Sequence, residues 1–114
     1  MAKHKFNAKK TVVDGIEFPS KAEARRFGEL KILQKAGEIT GLELQPVFKL
    51  LPTARRSDGV AERGVKYLAD FAYVRKDGVR VVEDVKSPAT RTPEYVLKRK
   101  MMLHLFGITV MEVS

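Results

Sequence analysis

From Val65 to Lys86 the chain reads VKYLADFAYVRKDGVRVVEDVK. Two runs rich in Tyr, Phe and Val flank Lys76-Asp77-Gly78, so Val65 to Arg75 and Val79 to Lys86 read as antiparallel strands joined by a turn. Asp70 and Asp84 each sit inside an apolar run. Asp is depleted from strands, and an unpaired buried carboxylate is costly. A three-residue loop with Gly78 in the left-handed region pairs Arg75 with Val79, and counting back sets Asp70 directly opposite Asp84. A two-residue Asp77-Gly78 turn would shift the parity and bring Glu83 to the face of Asp70. The three-residue loop is preferred because it also places Lys86 on the face of both aspartates. Glu83 then falls on the alternate face.

Two facing carboxylates ~5 Å apart repel by about 3 kcal/mol at an effective dielectric of about 20, and like charges opposed across strands destabilise the pair. Something positive is expected between them. One candidate is a divalent cation, since hard oxygen ligands suit magnesium or manganese. The other is a salt-bridge network with Lys86 or Lys98 and no metal. Glu23 bears on the choice. It completes a capping box with Ser20, yet it also falls in the middle of the Phe27, Leu30, Leu33 arc and so points at the sheet. Lys98 is placed alike, at the centre of the arc of Leu97, Met101, Met102 and Leu105, where a snorkelling surface lysine is the alternative. In Asp84-Val85-Lys86 the period of two brings carboxylate and ammonium out side by side. That pairing suits water activation and charge stabilisation at a phosphoryl group.

Upstream, Asp14-Gly15 joins Thr11-Val12-Val13 to Ile16-Glu17-Phe18 as a hairpin. Ser20 opens a helix that runs to about Ala36 and stops at Gly37. Leu42 to Leu51 reads as one strand, with Pro46 arguing for an edge or a bulge, and residues 52–64 as a mobile basic loop. Downstream, Ser87 to Arg91 is a loop, Thr92 and Pro93 open a second helix ended by Gly107, and Ile108 to Val113 is a last strand. The order is hairpin, helix, three strands, helix, strand. The class is α/β with a mixed sheet, if the last strand lies parallel to the one before its helix.

The 114 residues amount to one domain, read as a flexible basic arm over residues 1–10 and a single unit over 11–114. There is no cysteine, which excludes disulfides, thiolate nucleophiles and zinc–cysteine sites. No apolar run approaches the ~18 residues of a membrane span. No apolar stretch follows the first lysines, so the expected location is the cytoplasm. Lys+Arg number 22 against 14 Asp+Glu, a net charge of +8, and such a small basic domain points to a polyanion, most commonly nucleic acid. The cations cluster in the arm (Lys9 and Lys10 among them), at Arg55-Arg56, and around the second helix (Arg91, Lys98, Arg99). These are the candidate phosphate contacts.

Asp70, a short hairpin and Asp84-Val85-Lys86 together resemble the PD-(D/E)XK nuclease signature, with Glu23 as the recurring acid of the preceding helix. More specifically, the chain resembles a phage and prophage family of small PD-(D/E)XK proteins related to endonuclease I-type Holliday-junction resolvases. That resemblance rests on Val13-Asp14-Gly15-Ile16, Ser20-Lys21-Ala22-Glu23-Ala24, Leu42-Glu43-Leu44-Gln45-Pro46, Tyr67-Leu68-Ala69-Asp70-Phe71 and Val82-Glu83-Asp84-Val85-Lys86. Ala69 stands where the signature has proline. The resemblance implies a restriction-endonuclease-like αβββαβ core over residues 20–113. It implies that Asp70, Asp84 and Glu23 bind magnesium, with manganese as a substitute and the Val85 carbonyl as a further candidate ligand. Lys86 would be the catalytic lysine. The implied activity is cleavage of branched or double-stranded DNA in a bacterial or phage-infected cell. One chain carries one site and junction resolution needs two cuts, so a homodimer is compatible with it. The alternative is a non-catalytic nucleic-acid-binding or interaction module on the same scaffold.

Overall fold

The computed structural model describes residues 10–114. Lys9 and all but the last residue of the expected arm lie outside the described residues. Strands β1 (Thr11–Val13) and β2 (Ile16–Phe18) form the expected hairpin. Asp14 and Gly15 both take positive φ, 51° and 76°, as a tight hairpin turn of this hand requires. Helix α1 (Lys21–Lys35) follows. The Ser20 hydroxyl accepts from the Glu23 amide at 3.1 Å and donates to the Glu23 carboxylate at 3.3 Å.

The next segments depart from expectation. The predicted strand Leu42 to Leu51 is two strands, β3 (Ile39–Leu44) and β4 (Val47–Leu51). Gln45 adopts φ 50° and Pro46 has no N–H to give, so the ladder bends there. The mobile loop contains a small hairpin, β5 (Ala54–Arg55) with β6 (Ala61–Glu62). The predicted strand Val65 to Arg75 also divides, into β7 (Val65–Leu68) and β8 (Phe71–Arg75). The two breaks lie side by side. Gln45 N–H donates to the Asp70 carbonyl at 3.0 Å, and Ala69 N–H to the Pro46 carbonyl at 3.1 Å. One long antiparallel ribbon therefore bends as a unit, and Asp70 stands at the bend.

Strand β9 (Arg80–Val85) returns from a three-residue turn. Gly78 has φ 86°, and Arg75 N–H donates to the Val79 carbonyl at 2.9 Å. Helix α2 (Pro93–Phe106) then carries the chain to β10 (Val110–Val113), which pairs parallel with β9. The main sheet runs β10-β9-β8-β3 and is mixed, so the class is α/β. The hairpin and α1 cover one face, where Phe18, Phe27 and Phe71 meet at ring-centroid distances of 5.0 and 6.5 Å. Met102 and Tyr95 of α2 pack on the other face, with Phe48, Tyr67, Ala72 and Val82. No helix among the described residues is long and apolar enough to cross a membrane.

Glu83 points to the α1 face, opposite to Asp84, and is buried. Arg26 of α1 grips it with Nε at 2.8 Å and Nη2 at 2.6 Å, and the Tyr73 hydroxyl donates to the same carboxylate. Burial, and then its hydrogen bond to Glu83, push the Tyr73 hydroxyl up to about 12, so it stays a donor. This network ties α1 to the sheet. Arg26→Met leaves Glu83 without its counter-charge and should cost about 3 kcal/mol. The triple variant Arg26→Met, Glu83→Leu, Tyr73→Phe should recover most of that loss in urea unfolding.

Candidate active site

Extending the β8–β9 register one step beyond Phe71↔Glu83 places Asp70 opposite Asp84. The ladder is already irregular there, because the Asp70 amide donates to the Glu83 carbonyl at 3.1 Å. The Asp70 carboxylate accepts the Val85 amide at 2.7 Å, which fixes it across the sheet. Glu23 of α1 and Asp84 of β9 both lie near enough for their charges to act on the Asp70 carboxyl. The three carboxyl groups thus form a row with Asp70 in the middle. Burial first, then the charges of Asp84 and Glu23, push the Asp70 carboxyl up to about 8. Burial also raises Glu23 above the usual carboxylate range.

Two hollows adjoin these carboxyl groups. Glu23, Gln45, Asp70 and Phe71 line one of about 130 Å³. Gln45, in its left-handed turn, is one of these lining residues. Tyr67, Asp84, Lys86, Tyr95 and Lys98 line the other, of about 340 Å³. In the second hollow the Lys86 ammonium lies 2.9 Å from Asp84 Oδ1 and 4.3 Å from the centroid of the Tyr95 ring. The Tyr67 hydroxyl donates to Asp84 Oδ2. Burial, and then its bond to Asp84, raise the Tyr67 hydroxyl far above the usual phenol range, so it remains a donor at any ordinary pH.

Glu112, opposite Asp84 in the parallel β9–β10 register, anchors the far side of Tyr95. It accepts from the Tyr95 hydroxyl at 2.8 Å and from Arg91 and Arg99 at 2.7 Å each. These bonds, led by Arg91, hold its carboxyl down near 2. Residue spacing gave no sign of Tyr67, Tyr95 or Glu112. Tyr67 stands within an apolar strand run, and a parallel register across a helical crossover is not legible in a single chain.

The structure therefore brings Glu23, Asp70, Asp84, Val85 and Lys86 together. The other candidates are otherwise engaged. Arg91 and Arg99 hold Glu112, Arg55 donates to the Gly59 carbonyl, and Arg56 pairs with Asp58 at 2.6 Å. Lys98 lines the Lys86 hollow but pairs with Glu94 at 2.9 Å, and Lys10 is exposed. The all-oxygen donor set suits magnesium or manganese in type. As the side chains stand, no three acidic or histidine groups among the described residues converge on one point for a metal ion. The Asp84 oxygens meet Lys86 and Tyr67. No buried side-chain nitrogen or oxygen among the described residues lacks a partner.

A carboxyl whose pKa is raised by folding stabilises the fold below its unfolded value near 4 and loses that contribution as pH climbs through about 8. In a chelating buffer the parent should lose thermal stability from pH 5 to pH 8.5. Asp70→Asn should show a markedly smaller fall and melt above the parent at the alkaline end. Parallel melting curves for the two proteins would contradict the buried row.

No curated protein and no solved structure matches the chain. Residues 3–111 match the family described as "Protein of unknown function (DUF1064)". That match takes in nearly the whole chain, which therefore belongs to the DUF1064 family.

Proposed function

We propose that the protein is a magnesium-dependent DNA endonuclease of the PD-(D/E)XK type, hydrolysing phosphodiester bonds in branched or structured DNA. The observation that carries this reading is the row Glu23–Asp70–Asp84 with the Lys86 ammonium 2.9 Å from its last member. Three mutually repelling carboxyl groups at the end of a sheet have no evident use to the fold itself. The order α1, β3–β4, β7–β8, β9, α2, β10, with β10 parallel to β9, is compatible with a restriction-endonuclease-like core.

In this reading Glu23, Asp70 and Asp84 would hold the cation, with the Val85 carbonyl as a further candidate ligand. A bound magnesium or manganese ion supplies Lewis acidity to the phosphoryl group and acidifies water. In the reaction, water adds to phosphorus, one P–O ester bond breaks, and the leaving oxygen takes up a proton. Lys86 would offset the negative charge that develops on the phosphoryl oxygens or orient the attacking water. The Tyr95 ring below the ammonium and Asp84 beside it restrict where that charge can go. Tyr67 holds the Asp84 carboxylate by one oxygen and so sets its orientation.

One observation favours the alternative, a nucleic-acid-binding module without cleavage. Both oxygens of Asp84 are already engaged, by Lys86 and Tyr67, in a closed network. Single-turnover cleavage of a four-way junction and of a linear duplex separates the two readings. The nuclease reading expects cutting with magnesium, none with EDTA, and faster cutting of the junction. Lys86→Ala should slow cutting by on the order of a hundredfold or more, with DNA binding nearly parental. Absence of cutting by the parent, or cutting at the parental rate by Lys86→Ala, would sink the mechanism.

A further inference from the structure

We propose that the solvent face of the β4–β7 ribbon, centred on Lys49 and Lys66, seats the phosphate backbone of a nucleic-acid duplex. The ribbon alternates in burial, with a register shift after Lys49. Phe48, Leu50 and Tyr67 are buried against the α2 side, while Lys49 and Lys66 stand exposed on the other face among the exposed apolar side chains Val47, Leu51 and Leu68. In the register Lys49 lies directly opposite Lys66. Like charges so opposed destabilise a strand pair, and neither lysine has an ion pair or side-chain hydrogen bond in the described residues. The fold thus keeps an unfavourable pairing that an anion would relieve.

The surroundings fit a polyanion. Lys49, Arg63 and Lys66 line a hollow of about 570 Å³ that contains no acid. It is shaped by the close approach of the chain at Gly64, where an added Cβ would stand 2.6 Å from the Leu51 carbonyl oxygen. Lys66 also lines the hollow that holds Asp84, Lys86 and Lys98. Lys66 is thus shared by the two hollows, the second of which also holds Asp84 and Glu94, paired with Lys86 and Lys98. A two-stranded ribbon is also of a width that a duplex groove admits. The choice of nucleic acid over an anionic membrane rests on the nuclease reading, through the shared Lys66. These contacts differ from the Arg55-Arg56 pair, whose guanidinium groups serve the β5–β6 turn.

The test is binding of a fluorescent DNA duplex by the full chain in EDTA, followed by anisotropy between about 50 and 200 mM salt. Lys49→Gln/Lys66→Gln should weaken binding and lower the salt slope by about 1.8, two contacts at about 0.9 each. Its melting temperature should equal or exceed the parent's, because the repulsion is gone. Lys49→Arg/Lys66→Arg keeps both charges and should retain the parental slope. An unchanged slope in the Gln variant overturns the inference, as does loss of binding in the Arg variant. Failure of the parent to bind duplex, or binding only to phosphatidylserine vesicles, overturns it too. Because the assay excludes magnesium, ribbon-dependent binding without any cleavage in magnesium would overturn the nuclease reading alone.

Discussion

The bond from the Val85 amide to the Asp70 carboxylate is the constraint on which the rest of the site depends. It spans from the bend of one strand pair to the end of β9. It forms where β7 and β8 part at Ala69-Asp70, a break matched by the one at Gln45-Pro46. A straight strand would carry Asp70 on a regular face, turned from α1. The bend instead leaves it between Glu23 and Asp84, where burial and two neighbouring charges make ionisation unfavourable.

The two faces of β9 handle their acids differently. Glu83 is matched by Arg26 and Tyr73, so its burial is compensated within the protein and serves to dock α1. Asp84 has a lysine and a tyrosine of its own, but among the described residues its neighbour Asp70 has a backbone amide and two acids. The deficit of positive charge is therefore local to Asp70. The opposite imbalance, cations without acids, occurs at Lys49 and Lys66 on the ribbon. A metal ion at the first place and phosphates at the second would correct both.

Much of this was legible because it follows from local rules. Gly78 requires a left-handed position, the three-residue turn follows, and the opposition of Asp70 and Asp84 is then a matter of counting. The hairpin at Asp14-Gly15 and the caps at Ser20 and Thr92 are equally local. Long-range geometry was not legible. Pro46 pointed to an irregularity but not to a matching break at Ala69-Asp70, which arises because the two strands bend together. Nor could spacing reveal that Arg91 and Arg99 are drawn to Glu112, since that contact depends on the parallel register of β10. Tyr67 stands in an apolar strand run, and only its hydroxyl, aimed at Asp84, gives it a place in the site.

The central claim is that the carboxyl row exists to hold a divalent cation beside Lys86. Isothermal titration of magnesium, and separately manganese, into the parent and into Asp70→Asn tests it most directly. The account predicts saturable binding to the parent and its loss in the variant, which lacks one negative charge at the centre of the row. A parent that takes up neither ion, or a variant that binds them as the parent does, would contradict it.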